Sequence, residues 1–170
     1  MKRITLLVIL LVAGMATLVK AQDLKFGHID MQELIMVMPE RTTALAELEK
    51  EATELEEMLM TMQQELQTLF QDYTQKRETM SNLIRQAKEE DINTKQQRIE
   101  MFRNQADQQL QLMQQNLMEP IFEKADKVIS EVARENNLVY VFDVSSRVVL
   151  YQSAQSIDIL PLVKQKMGIN

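Results

Sequence analysis

The 170-residue chain has no cysteine, no tryptophan, one histidine, and only three glycines and three prolines. Without cysteine there is no disulfide framework, no thiol nucleophile and no cysteine-based zinc site. The lone imidazole, His28, cannot build a multi-histidine metal cluster, and its place in a strand-like segment reads as structural. Gly14, Gly27 and Gly168 lie far apart, which excludes a glycine-rich phosphate loop. No nucleophile elbow, EF-hand pattern or zinc-helix motif is present. Glu89-Glu90-Asp91 places three carboxylates together, but an exposed turn offers no water-excluded pocket for acid–base work. The expectation is a protein that is not an enzyme and uses no cofactor or metal.

What is present is helix-forming and acidic. Hydrophobic residues make up 45% of the chain, and 19 Lys+Arg stand against 25 Asp+Glu. Residues 22–59 carry 10 acids and 3 bases, so most of the imbalance sits in one segment. Nucleic-acid binding is not expected, because neutralising phosphates calls for a basic stripe. The run Glu47-Leu48-Glu49-Lys50-Glu51 reads as a solvated helix face.

The first 21 residues read as an export signal. Lys2 and Arg3 precede an apolar run from Ile4 to Val19, and Val19-Lys20-Ala21 offers a cleavage site after Ala21. The 16-residue run is short of the ~20 needed to span a bilayer. Cleavage would leave Gln22–Asn170 with a formal charge of -9, from 16 bases and 25 acids.

From Glu40 to Met118 there is no glycine or proline in 79 residues. Leu45, Leu48, Ala52, Leu55, Leu59, Met62, Leu66, Leu69 and Tyr73 recur in steps of three and four, the spacing of a heptad seam. Lys76 breaks the stripe, and Met80, Leu83 and Ala87 resume it. A second stripe runs through Ile92, Ile99, Phe102, Ala106, Leu110, Met113, Leu117, Ile121, Ala125, Val128 and Val132. The charge cluster at 89–91 and a capping-like Asn93-Thr94-Lys95-Gln96 lie near the midpoint of 40–136. They predict two antiparallel arms of equal length, about 70 Å each, folded at 88–93. Pro120 is expected to kink or interrupt the return.

The flanks read as a small strand-bearing body, residues 22–39 and 119–170. Leu24 to Asp30 is a short strand, and Met31 to Met38 a brief helix. Leu138 to Phe142 is a continuous apolar strand expected to bury both faces. A turn at Asp143-Val144-Ser145-Ser146 leads to a returning strand, Arg147 to Tyr151. Ser156 or Asp158 caps a last helix through Met167, with Pro161 in its first turn. The fold class is therefore α+β, mainly α: a long antiparallel helical hairpin (a coiled-coil arm) projecting from a small β-body. Such a sheet cannot cover both faces and edges alone, so it is expected to oligomerise around a shared β-structure. Leu24, Phe26, Val139, Val141, Val148 and Leu150 are the candidate oligomerisation residues.

The chain resembles the periplasmic chaperone family Skp, also called OmpH-like. The likeness lies in Lys25-Phe26-Gly27-His28-Ile29-Asp30-Met31-Gln32, Pro39 before the long helix, and Glu119-Pro120-Ile121. It continues in Ala133 to Val141, Val149-Leu150-Tyr151 and Asp158-Ile159, so it covers essentially 22–170. The resemblance implies a periplasmic homotrimer whose arms enclose a cavity for unfolded outer-membrane proteins, holding them without nucleotide. The best-known members are strongly basic; the acidity here argues against charge-driven binding to anionic lipid or lipopolysaccharide.

Met58, Met60, Phe70 and Ile84 lie outside the first stripe, and Met101, Leu112 and Met118 outside the second. These seven are the candidate client-binding residues, methionine being flexible and polarizable enough to repack against varied partners. The competing role is completion of the arm's own packing. The glutamine-rich stretch Gln105 to Gln115 reads as a solvated face. A second functional reading is a structural coiled-coil spacer or adaptor of the envelope.

Overall fold

The structure, a computed structural model, describes residues 24–146 and 148–169. The expected export signal, residues 1–21, and Arg147 of the expected returning strand lie outside the described residues. The chain runs β1 (Lys25–Ile29), α1 (Met31–Val37), α2 (Pro39–Lys76), a 3-10 turn (Arg77–Thr79), α3 (Asn82–Glu135), β2 (Leu138–Asp143), β3 (Ile157–Asp158) and α4 (Leu160–Met167).

Local chemistry sets the breaks. The Asp30 side chain accepts the Glu33 N–H at 2.8 Å and caps α1. Pro39 opens α2, where its missing N–H is harmless. Asn137, at φ 55°, ends α3 in a left-handed turn. The Asp158 carboxylate accepts the Leu160 N–H at 3.0 Å to start α4, and Gly168 at φ 72° closes it.

The helices α2 and α3 form the antiparallel hairpin. Four side-chain pairs bridge them: Tyr73–Glu89, Glu65–Lys95, Glu51–Gln109 and Glu40–Lys124. Each pair is centred on residues 80–82, so the tip lies at 77–81 and not at 88–93. Ser81 is the cap of α3, accepting the Ile84 N–H, while Asn93 lies inside the helix. Two assumptions misplaced the turn. Lys76 ends α2 instead of interrupting it. The arms are also unequal, with 38 residues in α2 and 54 in α3, or ~57 and ~81 Å. The excess of α3 continues into the body, where Ile121, Ala125 and Val132 are buried. Glu89, Glu90 and Asp91 are all exposed on the helix surface, Glu89 accepting the Tyr73 hydroxyl across the arm, so their mutual repulsion needs no turn to relieve it. Met80 is half-buried, but Leu83 and Ala87 are exposed and do not extend the first seam. The helix also continues through Pro120 without interruption.

In the body, β1 is central and parallel to both neighbours, in the order β2-β1-β3. The β1–β2 register pairs Lys25 with Leu138 but Phe26 with Tyr140, leaving Val139 as an extra residue. Gly27 faces inward, where a Cβ would stand 2.7 Å from Leu138 Cδ1. The expected hairpin between 138–142 and 147–151 does not form; residues 148–151 lie outside any strand. The sheet's second partner for β1 is Ile157–Asp158 instead. The physical reason lies at Asp143. Its Oδ1 accepts the N–H groups of Met31 at 3.2 Å and Ser145 at 2.9 Å, and its Oδ2 accepts the Ser145 hydroxyl at 2.9 Å. These bonds, with Val144 N–H donating to Ile29 O at 2.9 Å, hold the chain beside β1 and the start of α1. The sheet packs on α1, α4 and the end of α3 around Ile29, Leu34, Met38, Val132, Ile159 and Val163.

Candidate interaction surfaces

Among the described residues no group of three or more His, Asp or Glu is placed to hold a metal ion. His28 Nδ1 lies 2.9 Å from Ser156 Oγ, a contact that ties β1 to the segment entering β3. Most of the large apolar side chains left uncovered fall into two sets, one on the sheet and one on the arm; Met36 and Val37 on α1 and Leu162 on α4 stand apart from both.

On the sheet, parallel register puts Phe26 beside Tyr140 and His28 beside Phe142. Alternation along each strand then turns Phe26, Tyr140 and Phe142 to one face. Their rings stack, with centroids 6.4 Å apart for Phe26–Tyr140 and Phe26–Phe142 and 6.0 Å for Tyr140–Phe142. All three are exposed. The expectation of a strand buried on both faces therefore fails within the single chain: one face meets the core and the other is an open aromatic ladder. Leu24 and Val139 are exposed near it, and Val148, Leu150 and Tyr151 are exposed at 80%, 93% and 83% on the following segment. Val141, in contrast, packs against the core from the other face. Sequence reading picked out Phe26 but missed Tyr140 and Phe142, whose signal was the alternation hidden inside an unbroken apolar run.

Asp143 anchors this sheet to α1. Burial pulls its carboxyl upward, but the hydrogen bonds from Ser145 and Met31 outweigh that and hold it below the usual carboxylate range.

On the arm, the second stripe faces α2, with Ile92 and Ile99 buried, and its continuation, Ile121, Ala125 and Val132, is buried in the body core. The first stripe faces α3 from Leu48 to Tyr73, while Ala44 replaces the exposed Leu45 at its root. Met58, Met60, Phe70, Ile84, Met101 and Leu112 are all more than half exposed. Met118 differs, packing against the body core. The exposed set does not form one stripe. By helical phase, Met58 and Phe70 flank the seam on opposite sides of α2, and Met60 points away from α3. Met101 and Leu112 share the face of α3 turned from α2, together with Phe122, which is also exposed. Glutamines 105, 108 and 115 fill the spaces between them.

The arm's electrostatics are local. Lys124 holds the Glu40 carboxyl below its ordinary value at the root. Near the tip, the hydrogen bond to Glu89 raises Tyr73, since ionising the phenol beside a carboxylate is unfavourable. Lys76 lowers Asp72 in the last turn of α2.

A family model described as outer membrane protein (OmpH-like) matches residues 25–167. No curated protein matches the chain.

Proposed function

Because the chain belongs to the OmpH-like family, we propose that it is an ATP-independent holdase chaperone of the periplasm. It works as a homotrimer whose arms hold unfolded outer-membrane proteins and keep them from aggregating. One observation carries the reading: apolar side chains stand exposed on several faces of a two-helix arm that already has a full seam. A spacer needs only the seam. A holdase needs surplus apolar surface, spread out so that no contact is tight. Many shallow contacts give useful avidity while each exchanges quickly, so release requires no nucleotide. The division of labour follows the chain: the strand-bearing body, 22–39 and 119–170, assembles, and the hairpin captures, together with the outward face of α3 where the arm meets the body. Assembly would cover the aromatic ladder and the open edge of β2, features that isolated proteins seldom leave bare. Export depends on residues 1–21, with cleavage after Ala21.

The test has two arms. Light scattering on the exported protein should give the mass of three copies; a monomer would remove the proposed assembly. Denatured outer-membrane β-barrel protein is then diluted into a severalfold excess of trimer. Unchanged turbidity would refute the holdase. The triple variant Met60→Gln, Phe70→Gln, Met101→Gln should keep the mass and lose capture.

A further inference from the structure

We propose that the face of α3 between Gln114 and Asp126 is a docking groove for unfolded segments in which an apolar side chain is flanked by Lys or Arg. This rests on the holdase reading and names the class of segment preferred at the arm's root. The groove has a volume of about 670 Å³ and is lined by α3 residues alone; by helical phase Glu119, Phe122 and Asp126 lie away from the buried seam. Its apolar floor is Phe122, 43% exposed although it sits one residue from the buried Ile121, with the uncovered side of Met118, whose other side packs against the body core. An aromatic ring and a flexible thioether side by side accept aliphatic or aromatic side chains of varied shape.

The walls carry one sign of charge. Glu119, Glu123 and Asp126 line the groove and are exposed. Glu119 and Glu123 stand one turn apart, so they repel each other in the empty groove. Among the described residues none of the three belongs to an ion pair. Lys124 is turned to Glu40 on α2. Lys127, one turn beyond Glu123, forms no ion pair either. A Lys or Arg side chain matches both features at once: its alkyl stem lies along Phe122 and Met118, and its charged head reaches the carboxylates. An Arg can also stack on the Phe122 ring. A segment bearing Asp or Glu meets like charge instead. Farther out on the same face, Leu112 and Met101 are separated by glutamines, so the sign preference belongs to the root and the rest of the face is neutral.

The test uses two fluorescein-labelled 20-residue peptides of equal apolar content, one with four Lys and one with four Glu at the flanking positions. Binding to the purified protein is read by anisotropy at low and high salt. The Lys peptide should bind about tenfold more tightly at low salt, the sum of a few exposed ion pairs, and the gap should close at high salt. The triple variant Glu119→Gln, Glu123→Gln, Asp126→Asn should erase the gap with helix content by circular dichroism unchanged. Phe122→Ser should weaken both peptides. Equal binding of the two peptides, or a Lys preference that survives the triple variant, overturns the inference and leaves the holdase reading standing. If neither peptide binds and a denatured β-barrel protein is also not held, both fall.

Discussion

Ile99 and Met101 are two residues apart on α3 and assigned opposite jobs. Ile99 is 8% exposed in the seam against α2, and Met101 is 55% exposed on the far face. Ile99→Ala removes three carbons from a buried site. At ~0.8 kcal/mol per methylene this forfeits ~2.4 kcal/mol of transfer free energy. The cavity left behind adds to that, but a two-helix layer can close up, which places the total in the lower half of the ~2–5 kcal/mol range. Alanine's better helix propensity returns a few tenths of a kcal/mol. The expected net loss is about 2–2.5 kcal/mol. Met101→Gln should change stability by less than ~0.5 kcal/mol, as exposed substitutions do. Urea denaturation followed by circular dichroism reads both, with a midpoint shift of about 1 M expected for Ile99→Ala alone. Hydrogen exchange over 85–110 should speed up in the same variant only. Client capture should move the other way, reduced by Met101→Gln and unchanged by Ile99→Ala below its melting range. Equal destabilisation by the two variants would mean that α3 presents a different face to α2, and the seam and surface assignments would both fail.

Two further outcomes test the body. The depressed Asp143 carboxyl stabilises the fold above the unfolded carboxylate value near pH 4, and that stabilisation is lost as pH falls through the folded value. Urea midpoints should therefore show Asp143→Asn less stable than the parent at neutral pH, with the gap shrinking below about pH 4; a gap that widens in acid would contradict this. Gly27→Val places branched carbon where even a Cβ stands 2.7 Å from Leu138 Cδ1 and 3.4 Å from Ile157 O and Ile159 Cγ2. A loss of ~3 kcal/mol or more is expected in thermal melts, with Gly27→Ala nearer 1–2 kcal/mol because the Leu138 side chain can yield.

The arm was readable because its signal is dense and local. Every third or fourth residue from Leu48 to Tyr73 and from Ile99 to Val132 is apolar, and no glycine or proline intervenes up to Pro120. A seam of that length admits few alternatives to helix. The bond from Leu160 N–H to Asp158 at the start of α4, and the end of α3 at Asn136–Asn137, were legible for the same reason, since each involves backbone groups only a few residues away; the Asp30 cap of α1 went unread. The candidate arm surface was partly legible: residues outside both stripes had to be either surplus surface or packing, and only Met118 proved to be packing.

The failures share the opposite property. The tip was placed by assuming equal arms, but the place where α3 leaves the arm depends on how Ile121, Ala125 and Val132 are claimed by α1, α4 and the sheet. The hairpin after β2 was predicted from adjacency in sequence, whereas β1 takes parallel partners more than a hundred residues away at 138–143 and 157–158. Val148 to Tyr151 keeps its β-like composition without a strand partner, because pairing is decided by what the opposite edge offers. Composition and periodicity alone therefore determined that the chain makes helices, where they are apolar, and that it carries no thiol or phosphate-loop chemistry. Only the assembled structure decided where the hairpin turns, which strands meet, and that Phe26, Tyr140 and Phe142 stand together on an open face. Periodicity is set by hydrogen bonds that reach four residues. Register and exposure are set by contacts among segments that the chain itself keeps far apart.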